Sequence, residues 1–318
     1  MEQKYKIIVS CAPKLETMQL NRIFILSFIL GFTFISCNND DDGGSNTIEE
    51  RDREEQEMAD ADSINNFLDT HFYNYEEFEN PSEDFDYMVR FDSIAGDNAD
   101  KTPLSEEENL IKKTITYEEV EYEMYVLKVR EGEGEQPKFS DSTLVSYRGD
   151  LLDLSSFDNT STPIWFDLTT LVKGFSEGVV EFKGATGYTV NPDNTVTFSD
   201  DYGIGAFIFP SGLGYFSSSQ PGIPAYSPLI FNVNLYRVNE ADHDGDGIPS
   251  WMEDLNENRN LRDDDTDGDG IPNYADADDD GDGTRTRDEI IIDQDGSLEF
   301  PDANENGTPD YLDADTFQ

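Results

Sequence analysis

Oxygen-bearing side chains recur at fixed spacing near the C-terminus of this chain. Asp242, Asp244 and Asp246 are followed by Gly247, Ile248, Ser250 and Glu253. Counted from the first Asp these fall at positions 1, 3, 5, 6, 7, 9 and 12, the ligand register of a calcium loop, with Gly for the sharp turn and a carboxylate to close the shell. The register repeats at Asp265, Asp267, Asp269, Gly270, Ile271, Asn273 and Asp276, and again at Asp278, Asp280, Asp282, Gly283, Thr284, Thr286 and Glu289. A last copy reads Asp302, Asn304, Asn306, Gly307, Thr308, Asp310 and Asp313. Each of the first three copies gathers carboxylates that repel one another without a cation, so the spacing predicts structural Ca2+ that supplies much of the folding energy of 239–318. His243, at position 2, is expected to point outward with no metal role.

A second set of residues is aromatic and lies in the middle of the chain. Leu144-Val-Ser-Tyr147-Arg-Gly149 is followed by Ser156-Phe157-Asp158, then Pro163-Ile164-Trp165-Phe166-Asp167-Leu168. Next come Leu171-Val172-Lys-Gly174-Phe175-Ser-Glu-Gly178-Val179, Phe209-Pro210-Ser-Gly-Leu213-Gly-Tyr215, Pro221-Gly222-Ile223-Pro224 and Leu229-Ile-Phe231-Asn-Val233. In this order the set resembles FKBP-type peptidyl-prolyl cis-trans isomerases over 121–238. The resemblance implies an α+β fold, a curved antiparallel sheet around one helix, with an aromatic hollow that needs no cofactor. It implies that Tyr147, Phe157, Asp158, Ile164, Leu171, Val172, Phe175, Tyr215, Ile223 and Phe231 line that hollow, and that its partners are proline-containing polypeptides. Phe175 stands where the family usually has Trp. A stretch from Gly187 to Gly203 is inserted and alternates as an extra hairpin, one that would lid the hollow or bind a partner. Phe216-Ser-Ser-Ser-Gln220 replaces the family's usual glycine-bearing flap.

The loop starts are separated by steps of 23, 13 and 24 residues, with Gly-Ile-Pro at 247–249 and 270–272. The alternation of long and short steps resembles thrombospondin type 3 repeats. The shortest step leaves no room for the flanking helices of an EF-hand.

The elements that position these groups are legible as composition shifts. The chain has 318 residues and a net charge of -49, which excludes nucleic acid as a partner. An apolar run from Ile23 to Ile35 ends at Ser36-Cys37, too short to span a bilayer. It resembles a bacterial lipoprotein signal (1–36, with a true start at Met18), so Cys37 is the expected lipidation site and membrane anchor. The expected location is the cell envelope, as an outer-membrane lipoprotein. Residues 37–55 read as an acidic tether. Residues 56–120 open with a helix from Gln56 to Phe72 whose apolar face carries Ile64, Phe67, Leu68, His71 and Phe72. Helices so placed in secreted isomerases can mediate dimerisation, so a homodimer is an expectation. His71 is expected to pack in the core, and 73–120 to form an irregular linker.

Two functions follow. One is an anchored prolyl isomerase that assists folding of exported proteins. The other is a catalytically weak or inactive FKBP-like binding module on a calcium-stiffened surface stalk.

Overall fold

The structure is a computed structural model that describes residues 50–316. The signal segment, Cys37 and the tether up to 49 lie outside the described residues. No described helix is long and apolar enough to cross a membrane.

Helix α1 (Arg53–Thr70) begins at Asp52, whose carboxylate accepts from the N–H groups of Glu54 and Glu55 at 3.0 Å each, an N-cap. Strand β1 (His71–Tyr73), helix α2 (Tyr75–Glu79) and strand β2 (Phe91–Ser93) follow. The main sheet is built from β3 (Leu110–Tyr117), β4 (Val120–Arg130), β5 (Ser142–Leu151) and β6 (Ser156–Asp167). After helix α3 (Lys173–Val179) and the hairpin β7 (Tyr188–Val190) and β8 (Val196–Phe198), it is completed by β9 (Gly203–Phe209) and β10 (Leu229–Asn239). Its six strands run in the order β3-β4-β9-β10-β5-β6 and every neighbouring pair is antiparallel. The α+β class expected from the sequence, an antiparallel sheet packed on one helix, is the class observed. The sheet begins at Leu110, within the stretch read from sequence as linker.

Both faces of the sheet are covered, and the strand periodicity sorts the side chains between them. Phe207 and Phe209 of β9 join Phe175, Val179, Tyr147, Phe231 and Val233 on the α3 side. Ile204, Ala206 and Ile208 point the other way, toward Ile64, Phe67 and Leu68 of α1. The middle strand is thus apolar at every inward position of two cores. Helix α3 approaches closely because it carries glycine where a side chain would collide: a Cβ at Gly178 would sit 2.4 Å from the Phe207 ring.

The face away from α3 explains the aperiodic stretch 73–120. Tyr73, Val89 and Leu104 are buried there with Val196, Phe198 and Tyr202. Aromatic contacts run from Tyr73 to Tyr75, from Phe78 to Phe85 and from Phe85 to Tyr87, with centroids 4.9–5.6 Å apart. These residues form a cover for the sheet, so their spacing follows the sheet's surface and no helix or strand period of their own. His71 stacks on Phe67 at 4.1 Å, in the packing role expected of it. The inserted hairpin belongs to this cover as well: Phe198 stacks on Tyr236 at 4.8 Å. It lies on the face opposite α3 and leaves the hollow open, while Tyr188 and Val190 remain 49% and 60% exposed.

From Glu240 onward the chain is mostly turns, with one short helix, α4 (Thr286–Glu289), and a two-residue-per-strand hairpin, β11 (Ile291–Ile292) and β12 (Leu298–Glu299). A small core of Ile248, Ile290 and Tyr311, flanked by Met252, Phe300 and Leu312, holds it together. Ile271, at position 7 of the second acidic loop, is 45% exposed and outside that core.

Candidate functional site: an aromatic hollow and a ladder of acidic loops

The hollow opens between α3, the ends of β5, β6 and β10, and the loop after β9. It has a volume of about 500 Å³ and is lined by Tyr147, Phe157, Asp158, Leu171, Val172, Phe175, Tyr215, Ile223 and Phe231. Phe175 forms the floor at 2% exposure, its ring edge-on to Phe166 (5.6 Å), Phe207 (5.3 Å) and Phe231 (5.0 Å). Phe157 stands edge-on to Phe231 at 5.6 Å. Its ring lies across Gly149 on the neighbouring strand, where a Cβ would come within 2.4 Å of it.

The polar members are few. The Tyr147 hydroxyl donates to Asp158 Oδ2. Burial, then that hydrogen bond to a carboxylate, raises the Tyr147 pKa, so the phenol stays protonated at all ordinary pH. With Tyr147 engaged, Tyr215, 37% exposed at the rim, is the hydroxyl in the lining available to a bound peptide. Also in the lining, Gln220 and Ile223 exchange both backbone hydrogen bonds at 2.9 Å across Pro221-Gly222. Gly222 has φ +80, which the turn requires.

One sequence-predicted lining residue is not there. Ile164 is 36% exposed on β6 and is not in the lining; Phe166, two residues on and therefore on the same face of the strand, is. Phe166, Thr170, Gln220 and Pro221 line the site and were not foreseen as lining, although Phe166 is the aromatic of the Pro163–Leu168 motif.

The rim loop is clamped from behind by α1. Asp60, 3% exposed, accepts from the Ser211 N–H (2.8 Å) and hydroxyl (2.6 Å). Arg53 lies 4.2 Å over Phe216 and Arg51 lies 4.3 Å over Tyr226.

The acidic loops share one internal pattern. The position-1 carboxylate accepts from the N–H of the position-6 glycine at 2.8–3.2 Å in all four copies, through Asp242, Asp265, Asp278 and Asp302. The position-7 N–H donates to the position-5 side chain: Ile248 to Asp246, Ile271 to Asp269, Thr284 to Asp282 and Thr308 to Asn306, at 2.5–2.8 Å. The result is that the remaining oxygens of positions 1, 3 and 5 converge. Asp242, Asp244 and Asp246 form one such group, Asp265, Asp267 and Asp269 a second, and Asp278, Asp280 and Asp282 a third.

Position 9, expected to face the cation, also closes its own loop. Ser250, Asn273, Thr286 and Asp310 are 0–1% exposed and each accepts, at 2.8–3.2 Å, from the backbone N–H of position 2 of its own loop. Their own N–H groups bond the carbonyl just before the loop in all four copies: Ala241, Asp264, Ala277 and Pro301. These four side chains act as loop clasps. At position 12, Glu253 and Glu289 are buried while Asp276 is only partly so, and Asp313 accepts from the amides of Asn304 and Asn306 at 2.8 Å.

Oxygens without hydrogen-bond partners concentrate here: both of Glu253, one each of Asp244, Asp246, Asp278, Asp280, Asp282 and Glu289. Burial, then the charges of Asp244, Asp246, Asp279 and Asp242, push Glu253 up to about 10. Burial and then Asp246 lead in raising Asp244 to about 7. Buried carboxylates that repel and find no donors fit a hard divalent cation with oxygen ligands.

A further loop of the same form escaped the sequence reading. Arg259 N–H donates to Asp254 Oδ2 (2.8 Å), Asn258 N–H to Asp254 Oδ1 and Asn256 Oδ1 (3.0 Å each), and Asn260 N–H to Asn258 Oδ1 (2.7 Å). The loop starting at Asp302 shows the same bonds. Arg259 holds the glycine position at φ +61, which hid the motif; the Asp-x-Asn-x-Asn spacing, shared with 302–306, was the available signal.

His243 turns outward, as expected. Its Nε2 lies 3.3 Å from Asp167 Oδ2 in the segment leading to α3.

Comparison with known proteins gives two kinds of similarity. The family described as BamM C-terminal matches residues 243–301. The FKBP-type peptidyl-prolyl cis-trans isomerase FkpA of Escherichia coli K12 is 34% identical over 116 residues, 36% of this chain and 37% of that protein. The FkpA of Aeromonas hydrophila is 29% identical over 118 residues, 36% of this chain and 38% of that protein. The crystal structure of FkpA from Escherichia coli aligns over 58% of this chain and 63% of that chain at 24% identity, with a TM-score of 0.32. The matched stretch spans little more than a third of the curated relatives' length. Over that stretch the chain is homologous to FKBP-type peptidyl-prolyl isomerases of the FkpA type.

Proposed function

We propose that this protein is a peptidyl-prolyl cis-trans isomerase acting on exported polypeptides at the cell envelope, carried on a calcium-binding C-terminal repeat and anchored through lipid at Cys37. The observation that carries the reading is the open hollow of about 500 Å³ with Phe157, Phe175 and Phe231 on its walls and a Tyr147–Asp158 pair at its edge.

Rotation about an Xaa–Pro bond is opposed by amide resonance, with a barrier of ~18–20 kcal/mol. As the bond twists, the resonance weakens and the amide becomes less polar. A water-poor aromatic cavity therefore favours the twisted form over the planar one, and this differential binding lowers the barrier. No nucleophile or cofactor is required. The proline ring would rest on Phe175, with Phe157 and Ile223 at its sides. Tyr215 would donate to a substrate carbonyl. Asp158, held by Tyr147, keeps a fixed negative charge beside the twisting carbonyl carbon.

The residues of the acidic loops fit Ca2+: oxygen ligands only, several buried and without donors. In this reading the cations hold the tail against the isomerase region and serve no chemical step. Extracellular calcium modules bind with Kd of ~10⁻⁴–10⁻³ M, which would suit a secreted, lipid-anchored protein. A homodimer through α1 belongs to the same proposal.

The test is an isomerase assay on a Xaa-Pro peptide with the wild type, Phe157→Ala and Asp158→Val. Loss of rate in both variants with an intact fold supports the enzyme. Peptide binding by the wild type without any rate leaves the binding module in its place.

A further inference from the structure

We propose that Asp279 is a cation ligand of the first acidic loop, so that one calcium ion is held jointly by loops 242–253 and 278–289. This deepens, and rests on, the reading of the tail as a calcium array. In the twelve-residue register Asp279 is at position 2, which contributes no ligand to its own loop. Its counterpart His243 faces away to Asp167. Asp279 instead lies 2% exposed, with a side-chain oxygen grouped with those of Asp244 and Glu253, all within 4.8 Å of one another.

Two features show that this cluster is built for a ligand. Glu253 is 1% exposed, and neither of its oxygens nor either oxygen of Asp279 has a hydrogen-bond partner. Asp279 spends its backbone N–H on the Thr286 hydroxyl at 3.1 Å, which fixes the residue while leaving its carboxylate to the cluster. A single proton satisfies one pair of oxygens. Four unpartnered oxygens beside those of Asp244 and Asp246 require a multivalent centre, and an all-oxygen set selects a hard cation.

The consequence is long-range. Loop one and loop three are far apart in sequence and separated by loop two. A shared ion closes that span, so binding and folding of the tail become one event. Arg287 of the third loop already lies against Gly247 of the first, and the Ile248–Ile290 core joins the same pair of loops.

The experiment compares the full mature chain with Asp279→Asn, with Glu253→Gln and with the double variant, using calcium chloride titration and thermal melts in calcium and in chelator. Asp288→Asn, an acid in the third loop outside the register, controls for lost charge. Asp279→Asn is expected to weaken one calcium site by roughly tenfold or more, and to add little in the Glu253→Gln background. In chelator it should melt at or above wild type, because one unpartnered buried charge is gone; in calcium it should melt below. Losses that add independently to those of Glu253→Gln, wild-type calcium binding by Asp279→Asn, or a lower Tm in both media would overturn the shared site. A wild type that takes up no calcium would instead sink the array reading itself.

Discussion

Arg259 Nε lies 3.1 Å from Oε1 of Glu177, a residue of α3 that is 1% exposed. The single residue that replaces glycine in the acidic-loop form is therefore the one that ties the tail to the helix bearing the floor of the hollow. Lys113 (3.0 Å) and Lys173 (3.3 Å) complete the ring of cations around Glu177, and Lys173 also donates to the Arg259 carbonyl at 2.8 Å. Burial alone would raise the Glu177 carboxyl; Arg259, Lys113 and Lys173 outweigh it and hold its pKa below the usual value.

Removing that tie has a defined cost. Arg259→Ala leaves a buried carboxylate short of one partner and should destabilise the chain by about 1–3 kcal/mol. Arg259→Gly loses the same ion pair but relaxes a left-handed backbone position, so it should recover about 1 kcal/mol of that loss. Urea denaturation of both variants checks the order. Equal losses would mean that the φ of +61 carries no strain.

The α1 clamp brings a pH dependence. Burial, and then the neighbouring Asp60 and Glu123 charges against a hydrogen bond from the Glu123 N–H, push Glu57 up to about 7 from 4.5. A carboxyl raised in the folded state contributes full stability below about 4.5, and that contribution is lost as pH rises through about 7. Glu57→Gln keeps the acceptor without the charge. It should stabilise the protein by about 1–3 kcal/mol at pH 8 and little at pH 5. An equal gain at both pH values would contradict the assignment.

Chelation should act on the tail first. Asp279 is pushed up to about 8, by burial and then by Asp246 and Asp244, and Glu289 up to about 7, by burial and then by Asp280. Without a cation these groups make the tail progressively less stable as pH rises from about 4, since the unfolded chain gives up its protons earlier. Calcium removes that trend because it binds the deprotonated forms. Limited tryptic digestion reads this directly: the tail's basic residues are Arg259, Arg262, Arg285 and Arg287. Cleavage at those sites should be fast in chelator at pH 8 and slow in calcium. Equal protection in both media would show that the tail folds without metal.

Tyr147→Phe separates the hydroxyl from the ring. Tyr147 is 7% exposed and its ring centroid lies 5.3 Å from that of Phe166, so the fold should lose at most about 1 kcal/mol. Asp158, released, would swing into solvent, and isomerase kcat/KM should fall by roughly tenfold or less. A collapse of stability instead would make the Tyr147–Asp158 bond structural.

The sequence carried the central sheet and its hollow because a strand's alternation and an ordered set of aromatics are local signals. Ile164 and Phe166 share one face of β6, so alternation does not choose between them; which of the two reaches the hollow depends on where the strand passes it, and that is set by the pairing of β6 with β5 and its register shift. The cover formed by 73–104 was illegible because its aromatics answer to the surface beneath them. The acidic register was plain, yet the clasp role of position 9 and the inward turn of Asp279 depend on contacts that spacing alone does not encode. Arg259 hid a loop because sequence reading relies on glycine where the backbone needs φ > 0, and here an arginine bears that conformation while serving Glu177.

The most direct measurement is the cis–trans exchange rate of a Xaa-Pro peptide, followed by NMR exchange spectroscopy with catalytic amounts of the full mature chain. Exchange accelerated by the wild type and returned to the uncatalysed rate by Phe157→Ala is the result this account predicts. An unaccelerated rate at protein concentrations that saturate the peptide would contradict it.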